Sequence, residues 1–161
     1  MIKRLTTKET EALWKWLEAQ PIKWWKSGTP FGPQFGWPQI FEGDSWHCIY
    51  CGRDLAESED VLAESTEEHL VPQSVFAIGN GNVDVGDNVA ACCSSCNGLK
   101  GPAVPVMNAP EWRSRAAYVQ AMRTYIEEER TKRASRYRSH AFKARAARIW
   151  SKTIPRQKDY L

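Results

Sequence analysis

Polar and apolar positions change period several times along this chain, and each change marks an element. Thr6 followed three residues later by Glu9 has the form of a reciprocal helix cap, and Leu13 and Leu17 fall four apart on one face of the helix it opens. That helix is expected to run to about Ala19, because Pro21 brings no amide hydrogen to extend it. Pro30, Pro33 and Pro38, interleaved with Gly28, Gly32 and Gly36, mark Ser27 to Pro38 as irregular. Thr66 to Val71 mixes β-branched with polar residues and stops at Pro72, which suits a strand passing into a loop and puts His69 at the strand's end. Gly79 to Asp87 is a run of turn formers, after which Asp87 or Asn88 can cap a short helical or turn segment. Pro102, Pro105 and Pro110 space an extended link. Beyond it Trp112, Ala116, Val119, Met122 and Ile126 recur at helical spacing, predicting a helix from about Glu111 to Arg130 packed on the body.

Cysteine spacing adds chemistry to this outline. Cys48 and Cys51 form one Cys-x-x-Cys couple, Cys93 and Cys96 a second, and two such couples suffice for a tetrahedral zinc site of four thiolates. Cys92 could replace Cys93, but Cys93 restores the two-residue gap of the first couple. A disulfide framework is the competing account. Five cysteines is an odd number, and Met1 to Thr10 is polar and charged rather than the apolar core of a signal peptide. A thiol-redox pair is a further alternative. In a plain zinc ribbon the couples lie about 15 to 20 residues apart. Here 41 residues separate Cys51 from Cys93, enough for a β-hairpin and its loops.

That insertion contains Glu68-His69-Leu70-Val71-Pro72 and Asp87-Asn88-Val89, and Asn97-Gly98-Leu99-Lys100-Gly101 follows Cys96. With the two cysteine couples, these elements over about residues 46 to 101 resemble the HNH endonucleases of the ββα-metal (His-Me finger) group. The resemblance implies an α+β fold, with a ββα-metal core and a four-cysteine zinc knuckle, and a metal-dependent DNA endonuclease leaving 3′ hydroxyl and 5′ phosphate ends. By that resemblance His69 is the general base toward the attacking water, a task for which an imidazole titrating near neutrality is suited. Glu68 and Asn97 would hold Mg²⁺ or Mn²⁺ through side-chain oxygens, and Asn88 would brace the loop and orient the histidine. The resemblance thus groups His69, Asn88 and Asn97 as catalytic residues and requires His69, Glu68 and Asn97 to meet at one pocket. Where the family most often has aspartate this chain has Glu68, whose extra methylene moves the carboxylate outward; Glu64, Glu67 and Asp87 are other carboxylates nearby. Read without the resemblance, His69 is a hydrogen-bonded surface residue, Asn88 a cap and Asn97 a turn former. His47, beside Cys48, is a spare ligand or an exposed residue, and His140 is expected to face solvent.

Charge is unevenly distributed. Residues 1 to 100 carry eight Lys and Arg against fourteen Asp and Glu, whereas residues 101 to 161 carry fourteen against five, a split hidden by the overall +3. Between Arg130 and Arg148 lie eight basic residues and no acidic one. A helix of that composition would present Arg133, Arg136, Arg138, Lys143, Arg145 and Arg148 to a phosphate backbone, with affinity that falls steeply with salt and little sequence preference. Lys100 is expected to join them. The alternative is a solvated amphipathic helix with Tyr137, Phe142, Ile149 and Trp150 turned inward. Double-stranded DNA is the expected partner, bound by a monomer or homodimer. A membrane-surface role is disfavoured because no sustained apolar stripe backs the basic residues.

Six of the eight tryptophans fall within the first 46 residues. They are expected to form a small core and cover the zinc module, which buries little apolar surface alone; the alternative is stacking on nucleic-acid bases. The chain is therefore expected to comprise a Trp-rich extension (1–45), the HNH module (46–101) and a basic helical extension (102–161). The setting expected is cytoplasmic, of bacterial or phage type. A catalytically inactive, zinc-stabilised nucleic-acid-binding protein is the second function compatible with the sequence.

Overall fold

A computed structural model describes residues 1–21, 23–27, 37–79 and 86–153, with backbone alone at 37, 38, 142 and 146–153. Most of the irregular run from Ser27 to Pro38 and of the turn-rich run from Gly79 to Asp87 lies outside the described residues. By its contacts the chain divides into two units, Met1–Ile126 and Glu127–Leu161.

The first unit opens with β1 (Ile2–Arg4) and α1 (Thr7–Glu18). The cap expected of Thr6 and Glu9 forms in both directions: the Glu9 amide donates to Thr6 Oγ1 at 3.4 Å and the Thr6 amide to Glu9 Oε2 at 2.9 Å. Leu13 and Leu17 are buried on the inner face of α1, each contributing about 1.5–3 kcal/mol of burial. A 3₁₀ turn at Trp24–Lys26 follows, then α2 (Trp37–Gly43) and α3 (Glu59–Ala63). Among the described tryptophans, Trp24, Trp25 and Trp112 are core residues. Trp24 and Trp25 are buried, and with Trp112 and Tyr118 they form a chain of tilted and edge-on rings whose centroids lie 5.2–5.7 Å apart. Trp14, Trp16 and Trp46 pack against that core from its margin.

At the centre, β2 (Ser65–His69) runs antiparallel to β3 (Val89–Cys93), with Ser65 opposite Cys93 and His69 opposite Val89. The strand predicted at Thr66–Val71 is thus one residue earlier at its start and two at its end. Between the strands lies α4 (Gln73–Ala77); after β3 comes α5 (Ser94–Lys100). No cap-led helix follows Asn88: the chain enters β3, whose five residues are all buried. The outer edge of β3 pairs with no third strand among the described residues. Its Ala91 amide donates to Asp44 Oδ2 at 2.7 Å, its Ala91 carbonyl accepts from the Ile49 amide at 2.9 Å, and Arg115 donates to the Val89 carbonyl at 3.3 Å. Burial pushes the Asp44 carboxyl above its usual range, against the opposing pull of the Ala91 amide and Arg115. Gly101, at φ +50°, ends α5 by returning its amide to the Asn97 carbonyl, a backbone turn that favours glycine. The chain then forms β4 (Ala103–Pro105), which pairs with β1, and a 3₁₀ turn at Pro110–Arg113.

The helix expected over Glu111–Arg130 is instead α6 (Arg115–Thr153), led by Ser114, whose Oγ accepts from the Ala117 amide at 3.1 Å. Trp112 belongs to the preceding 3₁₀ turn, while Val119, Met122 and Ile126 are buried as their spacing predicts. The second unit contains the remainder of α6. Tyr137 is 71% exposed there, which corrects the alternative reading of it as a core residue. Phe142, Ile149 and Trp150 have side chains outside the described ones. No described helix is long and apolar enough to cross a membrane.

Candidate active site and metal centre

The first cysteine couple sits on a tight knuckle. The Cys48 amide donates to the Arg53 carbonyl, the Gly52 amide returns to the Cys48 carbonyl, and Gly52 takes φ +69°, a left-handed value that glycine meets without strain. The second couple spans the end of β3 and the first turn of α5. Together the Sγ atoms of Cys48, Cys51, Cys93 and Cys96 lie within 4.8 Å of one another, and those of Cys51 and Cys93 are 3.9 Å apart. Tetrahedral Zn–S bonds of about 2.3 Å place sulfurs about 3.8 Å apart, so the four cysteines can hold a metal such as zinc. Cys92 stands outside this set, as the spacing suggested. Its sulfhydryl donates to the Cys93 carbonyl, and contact with the Cys48 and Cys93 sulfurs and then burial push it up. Cys48 goes the other way: contact with the Cys92, Cys93 and Cys96 sulfurs pulls it down toward the thiolate that a metal needs. His47 is exposed, with its ring against the Ser45 carbonyl, and is not among the clustered donors.

Because α5 begins directly after Cys93, the sulfur cluster also sets where its next turn points. Asn97 and Lys100, three apart, lie on the face that packs on β2. Asn97 Nδ2 donates to Thr66 Oγ1 at 3.4 Å, and Lys100 Nζ reaches the Glu68 carboxylate and the His69 carbonyl. The junction borders an open cavity of about 520 Å³ lined by residues that include Glu68, His69, Gln73, Asn97 and Lys100. His69, Glu68 and Asn97 therefore do share one pocket. Among the alternative carboxylates, Glu67 lines it, whereas Glu64 and Asp87 do not. His69 is half-buried there, with Nε2 3.4 Å from the Gln73 amide nitrogen.

Three successive residues after Glu68 are held by side chains from α5, α6 and the turn before β3. Lys100 donates to the His69 carbonyl at 3.1 Å, and Tyr118 Oη to the Leu70 carbonyl at 2.6 Å. Asn88 accepts from the Val71 amide at 2.9 Å and donates to the Val71 carbonyl at 3.3 Å. Asn88 is fully buried and does not line the cavity; its contacts brace the chain two residues beyond the imidazole. Tyr118 carries no signal in the sequence beyond its place in an apolar helix face.

Glu68 and Lys100 depart most from expectation. Each is 2% exposed, and Lys100 Nζ lies 2.5 Å from Glu68 Oε1, which also accepts from Tyr50 Oη at 3.3 Å. Burial raises the Glu68 carboxyl above its ordinary value, with Lys100 and then Tyr50 opposing. Lys100 as a DNA contact is corrected accordingly: its three ammonium hydrogens face Glu68 and the carbonyls of His69 and Gly101, not a solvent-side phosphate. Arg133, Arg136, Arg138, Lys143 and Arg145 are exposed on α6, and the Arg148 side chain lies outside the described ones. Within the same unit the acidic triplet pairs with the first basic residues, Glu127 with Arg130 and Glu129 with Lys132. His140 is exposed, as expected.

A two-stranded ladder, a helix leaving its second strand, a four-sulfur cluster that can hold a metal and a polar cavity make up a small α+β module. In comparison with known families, residues 48–102 match the model of the HNH endonuclease family. No curated protein and no solved structure matches the chain.

Proposed function

We propose that the protein is a zinc-stabilised, divalent-metal-dependent DNA endonuclease with His69 as general base. The observation that carries this reading is the convergence of His69, Glu68 and Asn97 on one cavity, in a chain whose four cysteines also cluster. The donor set suits a hard cation: Asn97 uses its Nδ2 on Thr66, which leaves Oδ1, and the Lys100 and Tyr50 contacts of the Glu68 carboxylate both fall on Oε1, which leaves Oε2. An ion held by those oxygens would supply positive charge to the phosphoryl oxygens and to the departing sugar oxygen. The imidazole of His69 takes a proton from water as the water oxygen bonds phosphorus; the P–O3′ bond breaks, and the 3′ oxygen takes a proton from solvent. Lys100, Tyr118 and Asn88 hold the backbone on which that imidazole stands. The exposed arginines and lysines of α6 are assigned to backbone phosphates, a sequence-independent contribution to affinity.

Incubating supercoiled plasmid with Mg²⁺, Mn²⁺ or EDTA tests the proposal. Cleavage is expected with either ion, lost in EDTA and lost in His69→Ala, which keeps its fold and its DNA affinity; parental cleavage by His69→Ala removes the assignment of the base. One observation favours the second reading, an inactive nucleic-acid-binding protein: the Glu68 carboxylate is already paired with an ammonium. That reading predicts salt-sensitive binding and no turnover with any divalent ion.

A further inference from the structure

Lys100 places a protein cation on the carboxylate that the nuclease reading assigns to a metal. The pair is deep in the cavity wall, with Nζ 2.5 Å from Oε1 and both residues 2% exposed. A divalent ion on Glu68 would lie about 2.1 Å from a carboxylate oxygen, leaving two positive groups on one buried carboxylate where solvent screens them little. Lys100 also holds two backbone carbonyls, those of His69 and Gly101. Its ammonium can thus release Glu68 and still keep two acceptors, which makes the exchange a small movement rather than a local unfolding.

We propose, resting on the nuclease reading above, that Lys100 is a positioning residue that competes with the divalent ion for Glu68 and so sets how weakly the site takes up its metal. The same ammonium holds the His69 carbonyl, so the residue that tunes metal uptake also holds the strand end carrying the imidazole.

The test uses the zinc-loaded full chain, with Mn²⁺ binding followed by calorimetry and by the electron-spin signal of the free ion. Lys100→Met is expected to bind Mn²⁺ at least tenfold more tightly than the parent, and Lys100→Arg, which retains a cation, to stay near the parental affinity. Mn²⁺ is also expected to raise the melting temperature of Lys100→Met more than that of the parent, because the variant leaves Glu68 without its counter-ion. Equal Mn²⁺ affinity in parent and Lys100→Met overturns the competition and leaves the nuclease reading standing. Absence of Mn²⁺ binding from both, with zinc retained, removes the metal site and the competition with it. Should Lys100→Met fail to fold, Lys100→Gln, which keeps a donor for the backbone carbonyls but carries no charge, takes its place: tighter Mn²⁺ binding than the parent is expected, and equal affinity overturns the proposal.

Discussion

Asn88 binds both polar groups of the Val71 backbone, so its influence on the imidazole at position 69 is exerted through the chain. Asn88→Ala would leave a buried amide and a buried carbonyl unpaired, a loss of about 2–4 kcal/mol. Urea denaturation should show it as a lower midpoint with an unchanged slope, and plasmid cleavage should fall with it. The sulfurs, His69 and Asn97 are legible in the sequence because each is tied to its neighbours by short spacings. Their partners are not. Tyr50 and Tyr118 reach Glu68 and Leu70 from elsewhere in the chain, and no local pattern announces a contact between residues 48 apart. Lys100 is misread from the sequence for a physical reason: lysine is almost never fully buried unless paired, and its pairing with Glu68 depends on how α5 lies against β2.

At the scale of elements, α1 is legible because its capping box is local. Glu9 bonds Lys3 and the amide and hydroxyl of Thr6, and these hold its carboxyl down to about 2, from 4.5. A carboxyl depressed on folding contributes stability that is present above its unfolded value and lost as pH falls through its folded one. The melting-temperature advantage of the parent over Glu9→Gln should therefore be constant above about pH 5 and shrink steadily toward pH 2. The strands are harder to read. β2, Ser-Thr-Glu-Glu-His, has little of the usual strand composition, and β3, Val-Ala-Ala-Cys-Cys, is apolar without alternation because both of its faces are covered. The end expected for the C-terminal helix also fails, because Glu127 and Glu129 pair with the basic residues that follow and α6 continues through them.

For the molecule as a whole, the four clustered cysteines can hold a metal such as zinc, and the stability of the central module is expected to depend on it. Structural zinc supplies on the order of 10 kcal/mol, comparable with the entire stability of a small domain at about 5–15 kcal/mol. A strong chelator under reducing conditions should abolish the cooperative thermal transition, and Cys48→Ser or Cys96→Ser should do so without a chelator. The basic run makes a separate claim. If Arg133, Arg136 and Arg138 each meet one phosphate, replacing all three with alanine should lower the slope of log affinity against log salt by roughly 3, at about 0.9 per contact, as read by fluorescence anisotropy across a salt series. Finally, the β2–β3 register gives the hairpin the character of a ruler. Its sulfur end and its imidazole end are the first and last rungs of one five-rung ladder, about 13 Å apart at the rise of an extended chain. Loss of a single residue between Thr66 and Glu68 would leave every cysteine in the chain yet turn the ring to the opposite side of the ribbon. Length can vary in the loops around this ladder, but its rungs have a fixed number.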